Sequence, residues 1–152
     1  MAALTALVRG VLDGRLSVND CRLLLCVRVL EVLARAAVGC TTIPAARAIL
    51  AGLRPIAAAC HGCVPESRII WAFQASERWQ AGRGRCLARA LAAEVLLERT
   101  VHVPRLVIGI AAPENGALRS HAWVERDGRI LIGGSRSEPH YVRLVSWSGG
   151  AR

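Results

Sequence analysis

The sequence predicts an α+β fold, with helices first and an antiparallel meander after them. Two observations carry this. Apolar residues recur at spacings of three and four as far as about Arg99, and beyond Thr100 the period falls to two. Near the end, Asp127-Gly128 separates two short apolar runs, the favoured signature of a two-residue hairpin turn.

The helices come in order along the chain. Leu4, Leu7, Val8, Val11 and Leu12 define a first apolar stripe, which Asp13-Gly14 breaks. Ser17 or Asn19 caps a second helix from about Asp20 to Val38, with Gly39 as its stop. Its stripe is Leu23, Val27, Leu30, Ala34 and Val38. Pro44 opens a third helix through about Leu53, and Pro55 interrupts the segment after it. His61 to Ser67 reads as a loop, and Ile69 to Trp79 as another helix carrying Ile70 and Phe73. After the turn 81–85, Cys86 opens a strong helix to about Arg99, with Leu87, Ala90, Leu91 and Val95 on its buried side.

The strands come next. Leu106 to Ala111 is apolar and β-branched, as a buried strand should be. From Arg119 to Glu125 the sequence alternates, with His121, Trp123 and Glu125 on one face and Ala122 and Val124 on the other. Ile130 to Ile132 is the return strand, and Tyr141 to Ser146 is the last. A two-residue turn at Asp127-Gly128 pairs Arg126 with Arg129, Trp123 with Ile132 and His121 with Gly134.

Composition narrows the function. The chain has 152 residues, 53% of them hydrophobic, enough for a packed core in about one domain. Lys and Arg outnumber Asp and Glu by 20 to 11, for a formal charge of +9, so the surface attracts anions and acidic peptides. No Lys/Arg block and no aromatic-plus-basic motif accompanies that charge, which argues against a nucleic-acid partner. Arg22, Arg28, Glu31 and Arg35 interrupt the most apolar stretch, so no transmembrane span is expected. No basic segment precedes an apolar run with a cleavage site, so a cytoplasmic protein with reduced thiols is expected. Cys60-His61-Gly62-Cys63 has the spacing of a ligand or redox pair. A zinc site needs a second pair, however, and a redox motif needs a βαβ setting; neither is present in the pattern, so no metal and no cofactor is expected.

Cys86 stands at the first turn of a helix, after Gly84-Arg85. A helix N-terminus offers unpaired N–H groups and about half a positive charge, which favour a thiolate and can hold an oxyanion; Arg83 and Arg85 add charge nearby. His121 lies on a downstream strand, where it can meet the cysteine once the helix packs across the sheet. A cysteine at a helix start or a histidine on a strand is commonly structural when alone; together they make a nucleophile and its base.

The ordered set Gly84-Arg85-Cys86-Leu87-Ala88-Arg89-Ala90-Leu91, Leu96-Leu97, Leu106-Val107-Ile108-Gly109-Ile110 and His121-Ala122-Trp123-Val124-Glu125-Arg126-Asp127-Gly128 resembles the transglutaminase-like peptidases of lasso peptide biosynthesis, the protease half of the B protein. The likeness covers about Ile69 to Gly134, and the N-terminal helices are similar in character only. It implies a transglutaminase- or papain-like core over residues 67–152, with the Cys-bearing helix packed on an antiparallel sheet, beside a helical region over residues 1–66. It implies a cysteine peptidase that cleaves the leader from a ribosomally made precursor through a Cys86 thioester, with His121 as base. It also implies a separate leader-binding recognition protein and a downstream macrocyclase as partners. Acyl transfer to an amine uses the same residues, and a basic binding module is the non-enzymatic alternative.

The resemblance implies a carboxylate as third member, and here the sequence departs from the pattern. Related enzymes carry an Asp on the strand after the histidine strand, where this chain has Gly133 and Gly134. Asp127 and Glu125 lie roughly 20 Å and 13 Å from His121 at strand rise. Glu138, beyond the flexible Gly133-Gly134-Ser135, is the carboxylate able to fold back into the third role, and a main-chain carbonyl is the other group able to hold the imidazole.

Overall fold

A computed structural model describes residues 16–61, 64–77, 85–98, 103–111, 118–134 and 141–148. Five helices precede four strands among these residues: α1 Val18–Cys40, α2 Ile43–Ala51, α3 Arg54–His61, α4 Glu66–Glu77, α5 Arg85–Leu97, β1 Arg105–Ala111, β2 Arg119–Arg126, β3 Arg129–Ile132 and β4 Val142–Ser148. The strands form one antiparallel sheet in the order β3-β2-β1-β4. The α+β class expected from the change of period is what forms. The stripe between Leu4 and Leu12 lies outside the described residues, as do Gly62 and Cys63 of the Cys-His-Gly-Cys run.

Helix ends differ from the expected ones for local reasons. Ser17 is the cap of α1: its hydroxyl accepts from the Asp20 N–H, and the Asp20 carboxylate accepts from the Ser17 N–H, closing a capping box. Gly39 does not stop the helix, which runs on to Cys40. The Thr41 N–H and hydroxyl both donate to the Ala37 carbonyl and end it there. Pro55 opens α3 rather than interrupting a helix, because a first-turn residue needs no N–H. The expected loop from His61 to Ser67 is correspondingly short: His61 still belongs to α3, and α4 already begins at Glu66.

The centre of the molecule is α5. Every residue from Ala88 to Leu97 is buried, as expected of a helix apolar on nearly all sides. One face meets α1, where Leu23, Leu24, Val27, Leu30 and Ala34 are buried; another meets the sheet at Leu106, Ala122, Val124 and Ile132. These side chains form a single core with Ile69 and Phe73 of α4. Burying each large one contributes roughly 1.5–3 kcal/mol.

Charged pairs tie α2, α3 and α4 to α5, and α4 to α1. Arg47 of α2 pairs with buried Glu94, and Arg54 of α3 pairs with Glu98 just past the helix end. Arg89 donates to the Phe73 carbonyl at 2.8 Å and pairs with Glu77, so a cation sits at the C-terminal end of α4. Arg68 of α4 binds the capping carboxylate Asp20 at 2.7 Å. Burying any one of these charges alone would be costly; each is offset by its partner.

The hairpin register differs from the expected one. The turn forms as predicted, with Asp127 at φ 49° and Gly128 at φ 77°, the pair of positive values that a type I′ turn requires. Arg126 pairs with Arg129 and Glu125 with Ile130, but Val124 pairs with Ile132, so Leu131 is an extra residue on β3. This bulge replaces the expected pairing of Trp123 with Ile132 and of His121 with Gly134. It brings Gly133, rather than Gly134, against the strand beside His121.

Candidate active site

Cys86 is the second residue of α5, and α5 packs along β2. That packing delivers the thiol to His121 of β2, which hydrogen-bonds it. The two residues that the sequence singles out as nucleophile and base therefore meet.

The thiol is held below its ordinary pKa, first by the hydrogen bond from the His121 side chain. Burial opposes this by disfavouring the charged form. The backbone N–H groups of Ala122 and Leu87 and the imidazole's charge add to the lowering. The leading cause is thus the imidazole rather than the arginines at the helix start. Leu87 is the next residue of the same helix turn, so its N–H is one of the unpaired donors of a helix N-terminus put to use on sulfur. Arg83 lies outside the described residues.

The far side of the imidazole is held by backbone. His121 Nε2 hydrogen-bonds the carbonyl oxygen of Gly133. A carbonyl only accepts, so Nε2 carries the hydrogen and the neutral ring has its lone pair on Nδ1. That tautomer can take a proton at Nδ1 while the carbonyl fixes the ring. Gly133 suits this position in two ways. Its φ is 88°, and an added Cβ would lie 2.9 Å from the Ala122 oxygen and 3.1 Å from the Trp123 Cα.

Aromatic rings flank the imidazole. Trp123, two residues along the same face of β2, lies with its ring centroid 6.2 Å away and its plane 19° off. Tyr141, just before β4, is nearer, at 5.2 Å and 28°. Glu125 of the same face is turned to this cluster: its carboxylate accepts from Trp123 Nε1 at 3.1 Å and from Arg143 at 2.8 Å.

Of the carboxylates weighed as third member, Glu138 lies outside the described residues, and Glu125 meets the indole and Arg143. Asp127 sits at the hairpin tip. Sequence reasoning admits a main-chain carbonyl as the group on the imidazole without singling out Gly133, and it gives no role to Tyr141. A backbone carbonyl leaves no side-chain signature, and the only hint is the Gly133-Gly134 pair where a carboxylate is expected.

A cysteine at a helix start, hydrogen-bonded to a histidine on the adjacent sheet, is equipped for acyl transfer to sulfur. No helix among the described residues is long and apolar enough to cross a membrane. Neither the curated proteins nor the solved structures yield a match to this chain. A family model described as Transglutaminase-like superfamily matches residues 23–146, from α1 through β4. Its members generally are cysteine peptidases or acyltransferases. The chain belongs to the transglutaminase-like superfamily.

Proposed function

We propose that this chain is a cysteine peptidase that removes the leader from a ribosomally made, lasso-type peptide precursor. The observation that carries the reading is the hydrogen bond between Cys86 at the start of α5 and His121. In the proposed reaction His121 takes the Cys86 proton, and the thiolate attacks the carbonyl carbon of the leader–core peptide bond. Backbone N–H groups at the start of α5 hold the oxyanion. Collapse of the tetrahedral intermediate breaks the C–N bond, and protonated His121 passes its proton to the leaving core amine. Water, deprotonated by His121, then hydrolyses the thioester to free leader acid and restores the thiol. The proposed partners are the precursor, a separate leader-binding recognition protein and a downstream macrocyclase, and the proposed location is the cytoplasm. No cofactor is invoked.

The test is incubation of full-length precursor with wild-type and Cys86→Ala protein, read by mass spectrometry. Cleavage to free leader acid and free core by wild type alone supports the reading. A leader crosslinked through a new amide would instead identify an acyltransferase. Cleavage by folded Cys86→Ala would remove the assignment altogether.

A further inference from the structure

Three strands contribute to the packing around His121. β2 supplies Trp123 and Glu125, β1 supplies Gly109 directly opposite His121, and the β4 segment supplies Tyr141 and Arg143. A Cβ at Gly109 would lie 2.8 Å and 2.9 Å from the Trp123 ring and 3.0 Å from the Tyr141 Cβ. The glycine is what lets both rings close over this part of the sheet. The two rings also touch each other, at 6.2 Å between centroids and 45° between planes. The imidazole therefore packs against a pair of rings that are themselves in contact.

The indole is fixed by more than packing. Its N–H donates to Glu125, which is only 3% exposed, and Glu125 is in turn bound by Arg143, whose side chain is 54% exposed. A neutral acceptor would satisfy an indole N–H at lower desolvation cost than a buried carboxylate. What the carboxylate adds is a charge-assisted anchor that ties β2 to β4 and sets the indole in one orientation.

We infer that Glu125 is a positioning residue for His121, acting through the Trp123 indole, with Arg143 holding the carboxylate in place. The Glu125 carboxylate bonds the Trp123 indole and Arg143, so its action on the imidazole is through the ring. It fixes the ring against which the imidazole rests, so that the imidazole stays directed at Cys86 while its Nε2 remains on the Gly133 carbonyl. The inference rests on the Cys86–His121 chemistry proposed above and deepens it.

The experiment measures the rate of Cys86 alkylation by iodoacetamide against pH, by peptide mass spectrometry on the full chain, alongside the melting temperature. The variants are Glu125→Gln, Trp123→Phe, the double variant and His121→Ala. Glu125→Gln is expected to move the midpoint of the profile upward, in the direction of His121→Ala but less far. At neutral pH the alkylation rate should fall about three- to tenfold. Trp123→Phe, which keeps a ring and loses the N–H, should give a similar shift, and the double variant no more than either alone.

A Glu125→Gln protein with a lowered melting temperature and an unmoved profile overturns the inference, as does full additivity in the double variant. If Glu125→Gln does not fold, Arg143→Gln and Trp123→Phe form the same cycle from the exposed end, with the same expectations. An unmoved profile in His121→Ala would instead overturn the Cys86–His121 reading itself. A shift in His121→Ala with none in the others leaves that reading standing and removes only the role of Glu125.

Discussion

The Gly133 carbonyl and the Cys86 thiol are both bonded to the His121 imidazole, so one ring couples a β3-end backbone group to the start of α5. The sulfur side of this relationship sets the pH at which the site reacts. Because Cys86 is held below its ordinary pKa, thiolate persists at pH values where a thiol of pKa about 8.5 is protonated. Alkylation of Cys86 should therefore rise through a midpoint below that of an ordinary thiol. His121→Ala removes the leading cause of the lowering and leaves burial, which raises the pKa, so the midpoint should move up. The alkylation rate at neutral pH should drop at least about tenfold, and turnover about 100-fold or more. A turnover profile unchanged in shape and height in His121→Ala would sink the role of the imidazole.

The carbonyl side of the relationship is testable through glycine. Gly133→Ala puts a Cβ at positive φ and within 3.1 Å of two backbone atoms, so the turn must shift and the carbonyl with it. Turnover should fall on the order of 100-fold, the cost of misplacing a reacting group by about 1 Å. Gly128→Ala is the control. It has the same sign of φ, at 77°, but open space around the added Cβ. It should cost about 1–2 kcal/mol of stability and leave Cys86 reactivity alone. Equal effects of the two substitutions on reactivity would reduce Gly133 to an ordinary turn glycine.

Much of this arrangement is legible in the sequence, and the parts that are not have a common cause. Periodicity finds α1, α4, α5 and β2, because burial writes apolar residues at the spacing of the element. The meeting of Cys86 and His121 is suggested by a helix-start cysteine and a strand histidine taken together with the motifs around them. The register beyond the turn is not legible: Asp127-Gly128 specifies the hairpin tip, while the bulge at Leu131 lies three residues later, where no turn residue signals it. A main-chain carbonyl on His121 Nε2 is among the groups the sequence allows, but which residue supplies it is hidden, because every residue has one. The end of α1 at Cys40 and the start of α3 at Arg54 escape a reading by propensity because a cap at Thr41 and a first-turn proline act locally against the tendencies of Gly39 and Pro55. Cross-links such as Arg47–Glu94 and Arg68–Asp20 join residues far apart in sequence, where no spacing rule applies.

Two carboxylates on α1 should respond to pH in opposite senses. Arg68 and the Ser17 contacts hold Asp20 well below the ordinary carboxylate range, whereas burial pushes Glu31 up despite Arg28, Arg89 and Ser76. A depressed acid adds stability above its unfolded pKa, and that stability is lost as pH falls through the folded value. Asp20→Asn should thus lower stability at neutral pH by about 1 kcal/mol, the usual weight of a capping contact. The deficit should shrink as the pH drops below about 4. A raised acid does the reverse, favouring the fold when protonated, so Glu31→Gln should leave the melting temperature at neutral pH unchanged or higher. Urea unfolding at neutral pH and near pH 3 checks both. A neutral-pH loss in Glu31→Gln as large as in Asp20→Asn would contradict the burial argument.

On the proposed function, a precursor must bring its scissile bond to Cys86 with little help from this chain. Among the described residues, the elements between Val18 and Glu77 are all helices, and helices offer no edge for pairing with an extended leader. Bound at the site alone, a peptide would make few contacts around the scissile bond while losing its own conformational freedom. A second protein that holds the leader would convert that encounter into an intramolecular one, at an effective concentration in the millimolar range for a short tether. The purified chain should therefore cleave full-length precursor slowly, and a leader-binding recognition protein should raise the rate by roughly 100-fold or more. A core peptide with a truncated leader should gain nothing from the added protein, because the tether is lost. Cys86 alkylation should be the same with and without it, since tethering acts on substrate delivery and not on the thiol. Fast turnover of full-length precursor by the chain alone, unchanged when the recognition protein is added, would show that the leader is bound by this chain itself.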